Sequence, residues 1–129
     1  MGGKIETFRD IIAWQKAHQM VLSVYKLSRK FPKEELFVLV SQIRRAAISV
    51  PANIVEGFRR RSLKDSLNFY RIADASLEEL KYHLLLSHDL GYISTQEYTI
   101  FINESEEAGK LLTGWMQSQH QLLSASLTA

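Results

Sequence analysis

A chain of 129 residues, 46% hydrophobic and 23% charged, can bury a core of its own without disulfide or metal staples, as one domain. The absence of cysteine excludes disulfides, thiolate catalysis and cysteine zinc sites. The net charge of +2 conceals an asymmetry: residues 1–73 carry 14 Lys and Arg against 6 Asp and Glu, while residues 74–129 carry 2 against 8. Such a split points either to a polyanion-binding face or to a subunit contact that matches one half against the other.

The N-terminal Met1-Gly2-Gly3-Lys4-Ile5-Glu6 lacks the apolar run of a signal peptide, and no stretch approaches the ~18 apolar residues of a membrane span. A cytoplasmic protein with no membrane segment is expected. Apolar residues then recur at helical spacing in four segments, with only two prolines and no hairpin signals. In the first, at about 8–30, Ile11, Trp14, Ala17 or His18, Val21, Val24 or Tyr25, and Ser28 form the inner stripe, and Phe31-Pro32 ends it. The second, at about 34–60, opens on Lys33-Glu34-Glu35, with acids where the helix dipole favours them. Its stripe is Leu36, Leu39, Ile43, Ala46 or Ala47, Val50, Ile54 and Phe58. Pro51 inside that stripe deprives the Ala47 carbonyl of a donor, so a helix kinked at Pro51 is expected.

The third helix, at about 63–90, has Ser62 as its cap and Asp65 three residues on. Leu63, Leu67, Tyr70, Ala73, Leu77, Leu80 and Leu84 form its inner face, and Gly91 is its stop. Ser94-Thr95-Gln96-Glu97 reads as a capping box for a fourth helix, at about 95–121, before a frayed tail at 122–129. The inner positions there are Tyr98, Phe101 or Ile102, Ser105, Ala108, Leu111 or Leu112, Trp115 and Leu122. Four such segments joined by short turns predict an all-α, up-down-up-down antiparallel four-helix bundle.

Nothing in the sequence assembles a catalytic centre. There is no nucleophile elbow, phosphate loop or dinucleotide fingerprint. Of the four histidines, His83 and His88 are five apart and face different ways, and no Glu-x-x-His motif occurs. Glu79 and His83, four apart, suit a surface hydrogen bond. Adjacent acids such as Glu78-Glu79 diverge by about 100° around the helix and make poor acid–base partners. A non-enzyme without metal or cofactor is expected.

Two clusters stand out instead. Arg45, Ser49, Asn53 and Glu56 are spaced four, four and three residues apart and so line one side of the second helix. They can form a hydrogen-bonded seam that sets helix or subunit register, or Arg44 and Arg45 can reach a phosphate. Arg59, Arg60, Arg61 and Lys64 place four cations within six residues at the turn into the third helix, beside Phe58. That run is either a solvated helix end or a grip on a phosphate backbone with a stacking ring alongside.

Several runs carry a family resemblance: Phe8-Arg9-Asp10, Trp14-Gln15-Lys16-Ala17, Phe31-Pro32-Lys33-Glu34, Ser41-Gln42-Ile43-Arg44-Arg45-Ala46-Ala47 and Pro51-Ala52-Asn53-Ile54-Val55-Glu56-Gly57-Phe58. Phe69-Tyr70-Arg71-Ile72-Ala73, Ser76-Leu77-Glu78-Glu79-Leu80 and Leu90-Gly91-Tyr92 continue it. The chain resembles, over roughly residues 8–118, the bacterial four-helix bundle family encoded in intervening sequences of 23S rRNA genes, also called the S23 ribosomal protein family. The resemblance implies a homopentameric ring and kinship with the accessory proteins of diversity-generating retroelements, which bind nucleic acid and assist a reverse transcriptase. Two departures, Leu36-Phe37-Val38-Leu39 and Ala75-Ser76, are expected to add bulk at packing positions.

Two functions follow as expectations. One is a homo-oligomer that binds RNA or DNA, structured RNA or an RNA/DNA hybrid above all, through Arg44, Arg45, Arg59, Arg60, Arg61 and Lys64. The other is an oligomeric scaffold in which the basic half of one subunit meets the acidic half of the next, head to tail, with no nucleic-acid role.

Overall fold

The computed structural model describes residues 3–128; Met1, Gly2 and Ala129 lie outside the described residues. A short 3-10 turn, Phe8–Asp10, leads into α1 (Ile12–Ser28). A second 3-10 turn, Lys33–Glu35, precedes α2 (Leu39–Phe58), and α3 (Leu63–Asp89) and α4 (Thr95–Thr128) follow, with no strand among the described residues. Each helix packs on the next and α1 closes against α4, the α2–α3 pair being the most extensive. Cross-helix contacts fix the antiparallel sense. Ser49 meets Ser76 and Arg60 meets Phe69 as α2 descends along α3, and Lys16 pairs with Glu107 and Lys30 with Glu97 as α1 climbs along α4.

The helix termini follow local chemistry. Ser62 Oγ accepts the Asp65 N–H at 3.1 Å. Ser94 and Glu97 form the expected reciprocal box, with the Glu97 N–H on Ser94 Oγ at 3.0 Å and the Ser94 N–H on Glu97 Oε1 at 2.9 Å. Gly91, at φ +81°, closes α3: its N–H bonds the His88 carbonyl while the Tyr92 N–H bonds that of Ser87, the paired pattern of a left-handed helix stop. A capping box not expected from the sequence holds the first turn, where Asp10 Oδ2 accepts the N–H groups of Glu6 and Thr7, both at 2.9 Å. Those bonds, Thr7's first, hold the Asp10 carboxyl below its ordinary value.

One core runs the length of the bundle. From α3 it takes Leu67, Tyr70, Ala73, Leu77, Leu80 and Leu84, as the stripe predicts. From α2 it takes Leu39, Val40, Ile43, Ala46, Ala47, Val50, Pro51 and Ile54, and that helix runs unbroken through Pro51. In α1 the inner face is Ala13, Ala17, Met20, Val24 and Leu27, rotated slightly from expectation, so that Trp14 and Val21 pack at its edge.

Three boundaries differ clearly from the sequence-based expectation. Residues 8–10 form a separate 3-10 turn because Ile11, with an extended backbone, interrupts the path into α1. The second helix starts at Leu39 rather than near 34, because Glu35 and Leu36 bond carbonyls only three residues back and Val38 leaves helical geometry. Leu36 is therefore exposed rather than part of the stripe. Phe37, Val38 and Ala75 are exposed as well, so of the two sequence departures only Leu39 adds bulk to the core. At the other end of the chain, α4 continues to Thr128 where a frayed tail was expected; residues 115–127 contain no Pro or Gly to stop it. Leu122, expected inside, is 55% exposed.

Candidate functional site

The six cations singled out in the sequence fall into two groups. Fourteen residues of helix separate Arg45 from Arg59, so the groups lie about 21 Å apart along α2 at 1.5 Å per residue. In the upper group, Arg44 is half-buried. Its Nε donates to Ser28 Oγ at 2.9 Å, and its guanidinium lies 4.6 Å from the centre of the Tyr25 ring, clamping α2 to the last turn of α1. Arg45 is exposed, with no ion pair or hydrogen bond from its side chain among the described residues.

The expected polar seam forms in part. Asn53 Nδ2 donates to the Ser49 carbonyl at 2.8 Å and to Ser49 Oγ at 3.0 Å, and Ser49 Oγ meets Ser76 Oγ of α3 at 2.7 Å. Glu56 turns away to Arg60, and Arg45 stays outside the network. The seam thus pins the register of α2 against α3 through a serine pair, and its Ser76 member was not singled out in the sequence.

The lower group sits where α2 turns into α3. Arg59 is the residue that ends α2, and its N–H closes the last turn on Glu56 and Val55 carbonyls. Arg60 pairs with Glu56 at 3.0 Å and lies 4.3 Å from the centre of the Phe69 ring, so it is largely occupied by its own neighbours. Arg59, Arg61 and Lys64 are exposed, and no ion pair engages their side chains among the described residues. Beside them opens a cleft of about 420 Å³ lined by Phe58, Arg60, Arg61, Tyr70, Trp115 and Leu122, with Ile5, Ser62, Leu63, Ser66 and Gln119 completing the wall. Burial pushes the Tyr70 phenol up. The Trp115 indole N–H is buried and reaches no acceptor in hydrogen-bonding geometry. Trp115, Gln119 and Leu122 reach this site from α4, some 55 residues along the chain, a proximity that no local spacing signals.

Much of the acidic half is spent on ion pairs within the chain. Lys16 pairs with Glu107 at 3.4 Å, Lys30 with Glu97, and Lys81 with both Glu78 at 2.9 Å and Glu106 at 3.2 Å. Desolvation works against the Lys81 ammonium, but the two carboxylates outweigh it and its pKa is raised. The expected Glu79–His83 contact exists, at 3.0 Å. No group of three or more metal-ligating side chains occurs among the described residues. None of the described helices is long and apolar enough to cross a membrane.

The model of the 23S rRNA-intervening sequence protein family matches residues 9–114, which include both polar clusters and all but the last part of α4. The chain belongs to that family. A solved structure from the S23 ribosomal protein family, a protein of unknown function from Bacteroides thetaiotaomicron VPI-5482, is 29% identical with a TM-score of 0.76. The match covers 82% of this chain and 96% of that one, so nearly the whole of that protein shares this arrangement of helices. Comparison with curated proteins finds no match.

Proposed function

We propose that this family member is a non-catalytic homo-oligomer that binds nucleic acid, structured RNA foremost, through the basic end formed by the α2–α3 turn. The observation that carries the reading is the state of the cations. Arg59, Arg61 and Lys64 project from one turn with no ion pair among the described residues, whereas Glu97, Glu106 and Glu107 of α4 are drawn to Lys30, Lys81 and Lys16. A cluster left uncompensated in this way attracts a polyanion. Arg45 adds a separate free charge about 21 Å up the same helix, and Arg44 contributes by holding α1 and α2 together. A pentameric ring, the assembly implied by the resemblance, would repeat the turn around an axis and multiply weak phosphate contacts. Exposed apolar side chains on α2 and α3, Ile48, Ile72 and Tyr82, supply surface for contacts between copies of the chain in such a ring.

The scaffold reading draws on the same charge split. Two of its basic–acidic pairings, Lys16–Glu107 and Lys30–Glu97, are already made within one subunit, which leaves fewer acids to answer a neighbour's cations. The discriminating experiment measures binding of a structured RNA against salt for the wild type and for Arg59→Ala/Arg61→Ala/Lys64→Ala. Loss of up to three phosphate contacts lowers the slope of log K against log salt by about 2. An unchanged slope and affinity would reject this end as the binding surface. A ring that loosens in high salt while ignoring RNA would favour the scaffold.

A further inference from the structure

The cleft beside the free cations combines two chemistries that a flat phosphate-binding surface does not need. The half-buried rings of Phe58 and Trp115, with buried Tyr70 behind them and Leu63 and Leu122 at the sides, form an apolar wall, and the Arg61 guanidinium stands at the rim. Ser62 and Gln119 add hydrogen-bonding groups. Among the described residues no carboxylate lines this cleft. Other grooves of similar size do carry acids: Asp74, Glu78 and Glu106 between α3 and α4, Glu107 between α1 and α4, and Glu97 near the start of α4. The volume of about 420 Å³ falls in the range of about 300–1,000 Å³ that holds small ligands.

Resting on the nucleic-acid reading above, we infer that this cleft receives one unpaired nucleotide of the bound strand. Its base lies against Trp115 or Phe58, and its phosphate meets Arg61. Stacking on an aromatic ring tolerates any base, and it requires a base that is out of a duplex. Arg60 serves as a positioning residue: tied to Glu56 and stacked on Phe69, it closes one side of the cleft. The partner is therefore a looped-out or single-stranded segment, whereas a continuous duplex meets only the outer cations Arg59 and Lys64.

The test uses Trp115 as its reporter. The sequence has two tryptophans, and the other, Trp14, packs on His18 and Phe8 away from the cleft. In a Trp14→Phe background, emission from Trp115 is followed during titration with single-stranded oligoadenylate, a blunt-ended RNA duplex of equal charge, and adenosine monophosphate. Quenching by the oligoadenylate and none by the duplex is the expected result. Gln119→Phe, which fills the lip, should weaken oligoadenylate binding about ten-fold, within the range of one stacked base, and leave duplex binding within about two-fold. Leu122→Glu, at an exposed position, should do the same through charge and guards against a folding defect in the first variant. If both RNAs bind with Trp115 emission unchanged, the cleft assignment falls and the nucleic-acid reading stands. Quenching by adenosine monophosphate as tight as that by the strand would overturn the assignment to a strand. If neither RNA binds at low salt, both readings are overturned together.

Discussion

The two ends of the bundle spend their polar groups in opposite ways. At the upper end, where α1 runs into α2 and α3 into α4, four contacts tie polar side chains of different elements together. The Tyr92 hydroxyl donates to Glu35 Oε2 at 2.7 Å, Lys30 pairs with Glu97, Arg44 holds Ser28, and His88 meets Thr95 at 2.9 Å. Phe31 and Tyr92 pack beneath them with ring centres 5.4 Å apart. At the lower end, by contrast, Arg59, Arg61 and Lys64 stand around an open cleft with no ion pair among the described residues. Charges committed to partners stabilise the fold and are unavailable to a ligand; free ones add little to stability and can be used for binding.

Substitutions at the two ends should therefore read out in different assays. The largest expected effect is at the upper end. Phe31→Ala removes a ring that is only 7% exposed and packs on Tyr92, and should cost about 3–5 kcal/mol in denaturant unfolding. Next comes the packed layer just above the lower cations. A Cβ on Gly57 would fall 2.5 Å from Tyr70 Cε1 and 3.0 Å from the Ser66 carbonyl oxygen. Gly57→Ala should then cost about 1–3 kcal/mol, as overpacking does, and would loosen the cleft wall that Tyr70 supports. Arg44→Ala gives up a hydrogen bond and a cation–π contact, for about 1–2 kcal/mol. Arg61→Ala should move stability by less than about 0.5 kcal/mol while weakening RNA binding. An Arg44→Ala protein of normal stability and poor RNA binding would erase the contrast between the ends.

How much of this could be seen in the sequence depends on how local its cause is. The third helix was legible throughout, because its cap Ser62, its stripe from Leu67 to Leu84 and its stop Gly91 all lie in one stretch. The box at Ser94 and Glu97 was legible for the same reason. Residues 36–38 were not. Their apolar character suits a helix, but the chain there is pinned from a distance by the bond from Tyr92 to Glu35, and 3-10 bonding uses up the turn. The length of α4 was underestimated because a weakly apolar tail without Pro or Gly has no local stop. Of the site, the cations were legible as a run, but their states were not. Only packing distinguishes Arg60, stacked on Phe69, from Arg61 one residue on. The cleft needs Ile5, Phe58 and Trp115 brought together by the closure of the bundle, and no spacing rule predicts that.

The smallest effects sharpen the comparison through pH. Hydrogen bonding from Lys30, then from the Ser94 N–H, holds Glu97 below its ordinary 4.5. A carboxyl with a lower pKa folded than unfolded contributes stability above about 4.5, and that contribution is lost as pH falls through the folded value. The hydrogen bond to Glu35 raises Tyr92 above its ordinary 10.0. Its contribution is therefore complete below about 10 and is lost as pH rises through the folded value. Both groups lie near solvent, so screening keeps the two arms shallow. Glu97→Gln should flatten the acid arm where it begins, while the later part, set by Asp10 from its ordinary 3.8 downward, should remain. Tyr92→Phe should flatten part of the alkaline arm and leave the acid arm alone, the rest of the alkaline arm belonging to Tyr70 and Lys81, whose pKa values are also raised. The triple variant Arg59→Ala/Arg61→Ala/Lys64→Ala should leave the acid arm in place, because its titrating contacts belong to Lys30, Ser94 and the Thr7 turn. A triple variant that shifted the acid arm would show that the lower cations are coupled to the carboxylates of the fold, and they could not then be counted as free for a ligand.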